Sequence, residues 1–518
     1  MTTAPHPIAP DARVAPAATV GWADLVTAAL LGTDRRPLPA PPDLLDRAAL
    51  EAGARRAGLR PGPAAAAPPG PGPDSRPELS DAARVRLALL LPTRDGGSGG
   101  TGGGNLANLN ELLPQWLAAA RTHGYRCPAA LVPALLDAAR SRSELRSDAV
   151  VLAGPLGRWL AEQNQDWRFV LRTPVPGRTA TAPDFVLWQE GLFAERVTHL
   201  TQLRRHDPAA ALELLQGSWS SERGEDRLLF LDALQEGLSA ADEPFLEAAL
   251  SDRAKNVRLT AAELLSTLPG SALAGRMAER ALAAVSLAET ADGPRLAVHP
   301  PTACDAAMQR DGIPAASPTG RSDRAFWLGE TVAATPLAVW AERIGPAEAV
   351  LALPVSETWQ QDLRDAWARA AVRQNDRDWA RALLSLTAGE PAPVGTAAKL
   401  LTVLEPAERA GWTAGYVRRH GLAETFQLLV ACPAPWPAAL GGAVLAALSG
   451  VAAAGGYPWS HSGVIGVTER CLAPEMAEEL AALAVNASPA WEETFGRLGA
   501  TLRLRTTMLA ELAEPTRP

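Results

Sequence analysis

Tyrosine, lysine and paired cysteine are nearly missing from this chain of 518 residues. It holds three Tyr and eight Phe, and its only lysines are Lys255 and Lys399. So little β-branched and aromatic residue weighs against sheet and toward helix. Four cysteines, at 127, 304, 432 and 471, lie far apart with no CxxC pair. That argues against a structural zinc site and gives no sign of a disulfide framework. The opening residues MTTAPHPIAPDARVAP have neither a basic start nor an apolar core, so no signal peptide is read and a cytoplasmic location is expected. No HExxH helix occurs, and alanine precedes both lysines where a phosphate loop needs glycine. Neither a metal nor a cofactor is expected.

Formal charge is missing from Thr425 to Thr468, and residues 438–454 read AALGGAVLAALSGVAAA. A membrane span needs about 20 strongly apolar residues. This run is shorter, rich in Ala and Gly, and flanked by Pro433, Pro435, Pro437 and Pro458. It predicts a fully buried helix whose small residues permit close contact. Charge of one sign is not in excess either. The net charge of −8 leaves no global polyanion-binding footprint, although nearly all basic charge is arginine.

What is present is alanine, leucine and fifteen Trp in a chain that is 47% hydrophobic. Tryptophan suits wide gaps between packed helices, with its indole N–H finding a partner at the rim. Residues 1–20 are Pro- and Ala-rich and predict disorder. In 21–60, Trp22, Leu25, Val26, Ala29 and Leu30 share one helical stripe, and Gly32 suits a left-handed stop. Within 61–104, PGPAAAAPPGPGPDSRP and DGGSGGTGGG are low-complexity linkers around a short helix. Residues 105–286 predict a helical-repeat region, broken by a Pro/Thr-rich stretch at 172–183. Leu112, Leu113, Trp116 and Leu117 carry its helical spacing, and RRHDP at 204–208 punctuates two helices. Residues 287–323 predict a loop or linker, and helices resume over 324–514, among them 324–344, 357–374, 394–403, 406–420 and 489–513. No alternating run is long enough to predict a sheet. The expected fold is all-α.

The most informative stretch is DEPFLEAALSDRAKNVRLTAAELLSTL, 242–268. Leu246, Ala249 and Leu250 line one helical face, and Val257, Ala261, Leu264, Leu265 and Leu268 line a second. Asp252 and Arg258, six apart, can bridge across the turn or to the neighbouring repeat, and exposed pairs of that sort are worth roughly 0.2–1 kcal/mol each. The unit resembles a HEAT repeat in Pro244, Asp252 and the adjacent Val257 and Arg258. Such a unit cannot bury its apolar face alone, so the resemblance implies an irregular HEAT-like α-solenoid.

Motifs that suggest chemistry are weak. Gly96 to Gly100 satisfies GxSxG, and Gly97, Gly99 and Gly102 satisfy GxGxxG, but both fall in a glycine linker with no strand before them. His206 and His420 stand at helix ends beside arginine pairs, where the helix dipole explains them. His461 in PWSHSG is a loop histidine without a local carboxylate. Asp34, Arg35 and Arg36 form a compact charged cluster between Gly32 and Pro37 that could contact a partner or an anion.

Several stretches together resemble an uncharacterised bacterial family. They include WADLVTAALLGTDRRPLP (22–39), GRWLAEQNQDW (157–167), WQEGLFAERVTHLTQLRRHDPAAALELL (188–215), AVRQNDRDWARALL (371–384) and PWSHSGVIGVTERCL (458–472). Members of that family are commonly encoded beside a MoxR-type AAA ATPase, a von Willebrand A-domain protein and a SWIM zinc-finger protein. The resemblance therefore implies a scaffold or adaptor that binds protein partners, among them the ATPase or the A-domain protein. A nucleic-acid-binding helical array is a second class, and an enzyme with a site built from distant loops such as 287–324 and 457–468 is a third.

Overall fold

Helix ends in this chain are written by short polar side chains. In the computed structural model, Ser80, Asp184, Asp207, Ser271, Asp305 and Ser322 each accept the backbone N–H three residues on. That satisfies donors a helix would otherwise leave orphaned. The structure describes residues 22–32, 34–35, 44–58, 69–91, 109–173, 183–318, 320–386, 394–485 and 487–513. The stretch 1–20, the glycine run 95–104 with its motifs, Arg36 and most of the Pro/Thr-rich break lie outside these residues. The described residues are all-α apart from one two-stranded hairpin. They divide into two units, Met1–Gly70 and Pro71–Pro518.

In the first unit, α1 (Trp22–Leu31) pairs with α2 (Leu44–Gly58). Gly32, at φ +86°, ends α1 as expected and donates to the Ala28 carbonyl at 3.0 Å. Of the expected stripe only Leu25 is buried; Trp22, Val26 and Leu30 are exposed.

The second unit opens with α3 (Asp81–Leu90), α4 (Leu109–Thr122), α5 (Val132–Ser141), α6 (Arg146–Gln163) and α7 (Phe169–Arg172). Their core holds Leu87, Trp116, Leu117, Leu135 and Val150, and it is completed by Met508 and Leu512 from the last helix of the chain. Arg86 meets Glu511 at 2.7 Å, and the Tyr125 hydroxyl donates to the Leu512 carbonyl at 3.1 Å. The helices of 105–286 fall into two cores on either side of the expected Pro/Thr-rich break. Residues 109–172 share their core with the end of the chain, and the helices after 183 build another.

The segment expected as a linker up to residue 77 is also partly built in. Arg76 donates to Asp74 at 2.9 and 2.6 Å and to the Val151 carbonyl at 2.6 Å. This clamp sits on a kink in α6 where Gly154 has φ 56°. A Cβ there would lie 2.3 Å from Arg76 Nη2 and 2.6 Å from Asp74 Oδ2. Gly154→Ala therefore combines a left-handed backbone with a clash, and we expect it to cost about 2–3 kcal/mol, measured as a lowered urea midpoint.

Next come α8 (Phe185–Glu190), α9 (Phe193–His206), α10 (Pro208–Ser218), α11 (Gly224–Ala233), α12 (Glu243–Ala249), α13 (Lys255–Ser266) and α14 (Ala272–Ala284). Arg204 is one of the three cations in the last turn of α9, as expected, but it is not a solvated one. Its side chain is fully buried, paired with Asp242 at 2.8 Å, and it also donates to the carbonyls of Glu236, Pro208, Leu234 and Gly237.

The expected loop at 287–323 is corrected. Strands β1 (Val285–Thr290) and β2 (Gly293–Val298) form an antiparallel hairpin, with Leu287 opposite Leu296 and a turn at Ala291–Asp292. Gly293, at φ +103°, supplies the left-handed residue that closes it. Val285 and Leu296 face the core, and the Leu296 N–H reaches the Pro354 carbonyl at 2.9 Å.

The remaining helices are α15 (Ala306–Arg310), α16 (Asp323–Ala333), α17 (Leu337–Arg343), α18 (Ala347–Ala352), α19 (Glu357–Gln374), α20 (Arg377–Leu386), α21 (Val394–Val403), α22 (Pro406–His420), α23 (Phe426–Val430), α24 (Ala438–Ala453), α25 (Ser462–Cys471), α26 (Ala477–Val485) and α27 (Pro489–Ala513). Helix α24 is one-sided, not fully buried: Leu440, Val444 and Leu448 face inward while Ala446 and Gly450 are exposed. Its Gly441 does permit close contact, since a Cβ there would lie 2.4 Å from the Met476 sulfur. No described helix is long and apolar enough to cross a membrane. Successive helices pack in a row from α9 through α11, α13, α14, α16, α19, α21 and α23 to α25.

Candidate functional site

Four helices of that row, α13, α16, α19 and α21, together with Arg321 bound an open cleft of about 580 Å³. Its apolar surface comes from Ala325 and Phe326 on α16 and from Ala368 and Val372 on α19. Both helices put their larger apolar side chains inward: Trp327, Leu328 and Val332 from α16, Leu363 and Trp367 from α19. Small or half-buried residues are left to face the opening.

The rim is charged and mostly paired. Arg321 spans Asp362 and Asp365 at 3.0 Å each. Arg369 reaches from α19 to Glu330 on α16, and Arg373 reaches Glu263 on α13 at 3.4 Å. Gly329 leaves room beside the first crossing, where a Cβ would lie 3.1 Å from Arg369 Nη2. Lys399 is different. It lies on the exposed side of α21, and its ammonium makes no ion pair or hydrogen bond with a described residue. The rim thus carries Arg321, Arg369, Arg373 and Lys399 against Glu263, Glu330 and Asp365, and one cation is left over.

The HEAT-like positions support this cleft without entering it. Pro244 occupies the first turn of α12, and Val257 is fully buried on α13. Of the two expected bridges, the one across the turn between Asp252 and Arg258 does not form, and the one to the neighbouring helix pair does, buried and not exposed. Asp252 pairs with Arg227 of α11 at 2.9 Å, both nearly buried, and Arg258 donates to the Asp252 carbonyl at 2.7 Å. The acid ties α13 to the preceding helix, while the arginine closes the turn. Asp34 and Arg35 are exposed in the first unit, and Arg36 lies outside the described residues.

The histidines and cysteines do not converge. His199 Nε2 accepts the Asp184 N–H at 3.1 Å, and burial holds its pKa below the ordinary histidine value, with Asp184 opposing. His420 packs on Tyr416 with ring centroids 4.5 Å apart. Burial pushes the Cys127 thiol up to about 12 and raises Cys304, Cys432 and Cys471 as well, which suppresses thiolate chemistry. Among the described residues no three His, Cys, Asp or Glu side chains are placed to hold a metal ion.

Sequence reasoning passed over α16, α19 and α21. The spacing of Asp362, Asp365, Arg369 and Arg373 on one side of a helix was a signal, as was one of only two lysines.

Residues 24–512 match the model of a family of unknown function, DUF5691. No curated protein and no solved structure matches the chain.

Proposed function

The chain belongs to the DUF5691 family, and from that premise we propose that it is a non-catalytic, HEAT-like α-solenoid that binds protein partners through the cleft of α13, α16, α19 and α21. The observation that carries this reading is the cleft's make-up. An apolar strip of Ala325, Phe326, Ala368 and Val372 runs between charged rims contributed by four helices and Arg321. An apolar centre with a polar, charged edge is the anatomy of protein interfaces.

The row of helices holds those side chains in fixed relation, and the arginine crossings from α19 to α16 and α13 set their spacing. Lys399, left without a counter-ion, offers a partner carboxylate an attachment that costs no existing pair. A polyanion would have to displace Asp362, Asp365, Glu330 and Glu263 from the other three cations, which favours a protein surface over nucleic acid. The partner class implied by the resemblance is a MoxR-type AAA ATPase or a von Willebrand A-domain protein.

Biolayer interferometry of the purified chain against both proteins, with and without ATP, tests this reading. We expect binding by the natural chain and an affinity loss of about tenfold or more for Lys399→Glu, the size of a lost and reversed interfacial charge contact. Binding to neither protein, or binding unchanged by Lys399→Glu, would overturn it.

A further inference from the structure

A second opening lies where a 3-10 turn at Pro458–His461 leads into α25 and packs beside α27. It encloses about 600 Å³, within the range of small-molecule sites. Three features distinguish it. Trp459 is 73% exposed at its edge, stacked on an equally open Tyr457 with ring centroids 6.0 Å apart. Glu469 lines it although the residue is only 5% exposed. Arg497, half-buried, lines it from α27.

Both charges stand without ionic partners. Glu469 Oε1 accepts the Thr501 hydroxyl at 2.9 Å, and its other oxygen accepts nothing from a described residue. The neighbouring Arg505 donates through Nη1 to the carbonyls of Leu472, at 2.6 Å, and Glu469, at 3.5 Å, and not to the carboxylate. Arg497 forms no ion pair, and its Nε–H is buried without an acceptor. A buried carboxylate and a guanidinium lacking counter-ions are costly to maintain in an empty site.

We propose that this opening binds a zwitterionic small molecule of the amino-acid class. Its ammonium meets Glu469, its carboxylate meets Arg497, and its side chain lies against Trp459. A ligand with only a positive charge would leave Arg497 unanswered, and one with only a negative charge would leave Glu469 so. A zwitterion answers both. Gly466 on α25 adds room, because a Cβ built there meets nothing within 4 Å.

Calorimetric titration of the full chain with tryptophan, phenylalanine and leucine tests the proposal. N-acetyl and carboxamide derivatives of the same amino acids serve as single-charge probes. At least one zwitterion should bind with a Kd below about 1 mM, and both of its derivatives should bind about tenfold or more weakly. Glu469→Gln should remove the preference over the N-acetyl form. Gly466→Leu fills the opening at a helical position with free space around it, so it should abolish binding with the melting temperature kept. Absence of binding by all three zwitterions would overturn the proposal, as would equal binding of the derivatives or undiminished binding by Gly466→Leu.

Discussion

Asp242→Ala is expected to lower the stability of the second unit by about 3–5 kcal/mol, the usual cost of breaking a buried ion pair from one side. The Arg204 side chain is 0% exposed and that of Asp242 2%. Without the carboxylate, the guanidinium keeps its four carbonyl partners but stays buried without a counter-ion. Asp242 also accepts the Ser239 N–H at 2.9 Å, so the same substitution frees the turn that starts α12. Urea denaturation followed by far-UV circular dichroism should show the midpoint fall. Arg204→Met with Asp242→Leu removes both charges together and should recover a large part of the loss. A single substitution costing under about 1 kcal/mol would mean that this pair does not tie α9 to the α11–α12 turn.

Ending the chain after Thr507, which keeps the buried Arg505 and its hydrogen bonds to the Leu472 and Glu469 carbonyls, should have an effect of similar size but confined to one region. Met508 and Leu512 are fully buried in the core of α3 to α6, and each such side chain contributes roughly 1.5–3 kcal/mol. The Arg86–Glu511 pair and the Tyr125–Leu512 hydrogen bond go with them. We expect a loss of about 5 kcal/mol for the packing of residues 79–173. Limited proteolysis should then cut within 79–173 first, leaving a resistant fragment that begins near residue 183. Unchanged protection of 79–173 would contradict the shared core.

The sequence was most legible where one helix face repeats. The spacing over 357–374, 394–403, 406–420 and 489–513 predicted helices at the bounds observed. It was less legible where a long-range partner decides. The helix expected over 324–344 breaks at Pro336, which cannot donate within a helix, and Leu337 restarts it with its N–H held by Gln374 Oε1 at 2.9 Å. The hairpin at 285–298 carried an Asp-Gly turn signal, but only Val285, Leu296 and the half-buried Val298 pack on the core, too few for a long alternation to stand out. PWSHSG, expected as a loop, forms a 3-10 turn over Pro458–His461 and begins α25 at Ser462.

The site residues were hidden for a different reason. Arg204 and Arg205 are adjacent and chemically alike, yet one is sealed against Asp242 and the other is exposed beside Glu236. That difference depends on which carbonyls the 234–237 turn brings near, and no local pattern encodes it. Asp252 was legible as important to the repeat, but its partner Arg227 lies in the preceding helix pair. The cleft itself requires four helices drawn from 140 residues of chain, 260–399, and only Lys399 stood out beforehand by its rarity.

Hydrogen–deuterium exchange of the chain, alone and mixed with the MoxR-type ATPase or the A-domain protein, tests the central claim most directly. The account predicts new protection on the amides around 321–330, 365–373 and 396–399. Protection that falls elsewhere while these three segments exchange as in the free chain would contradict it.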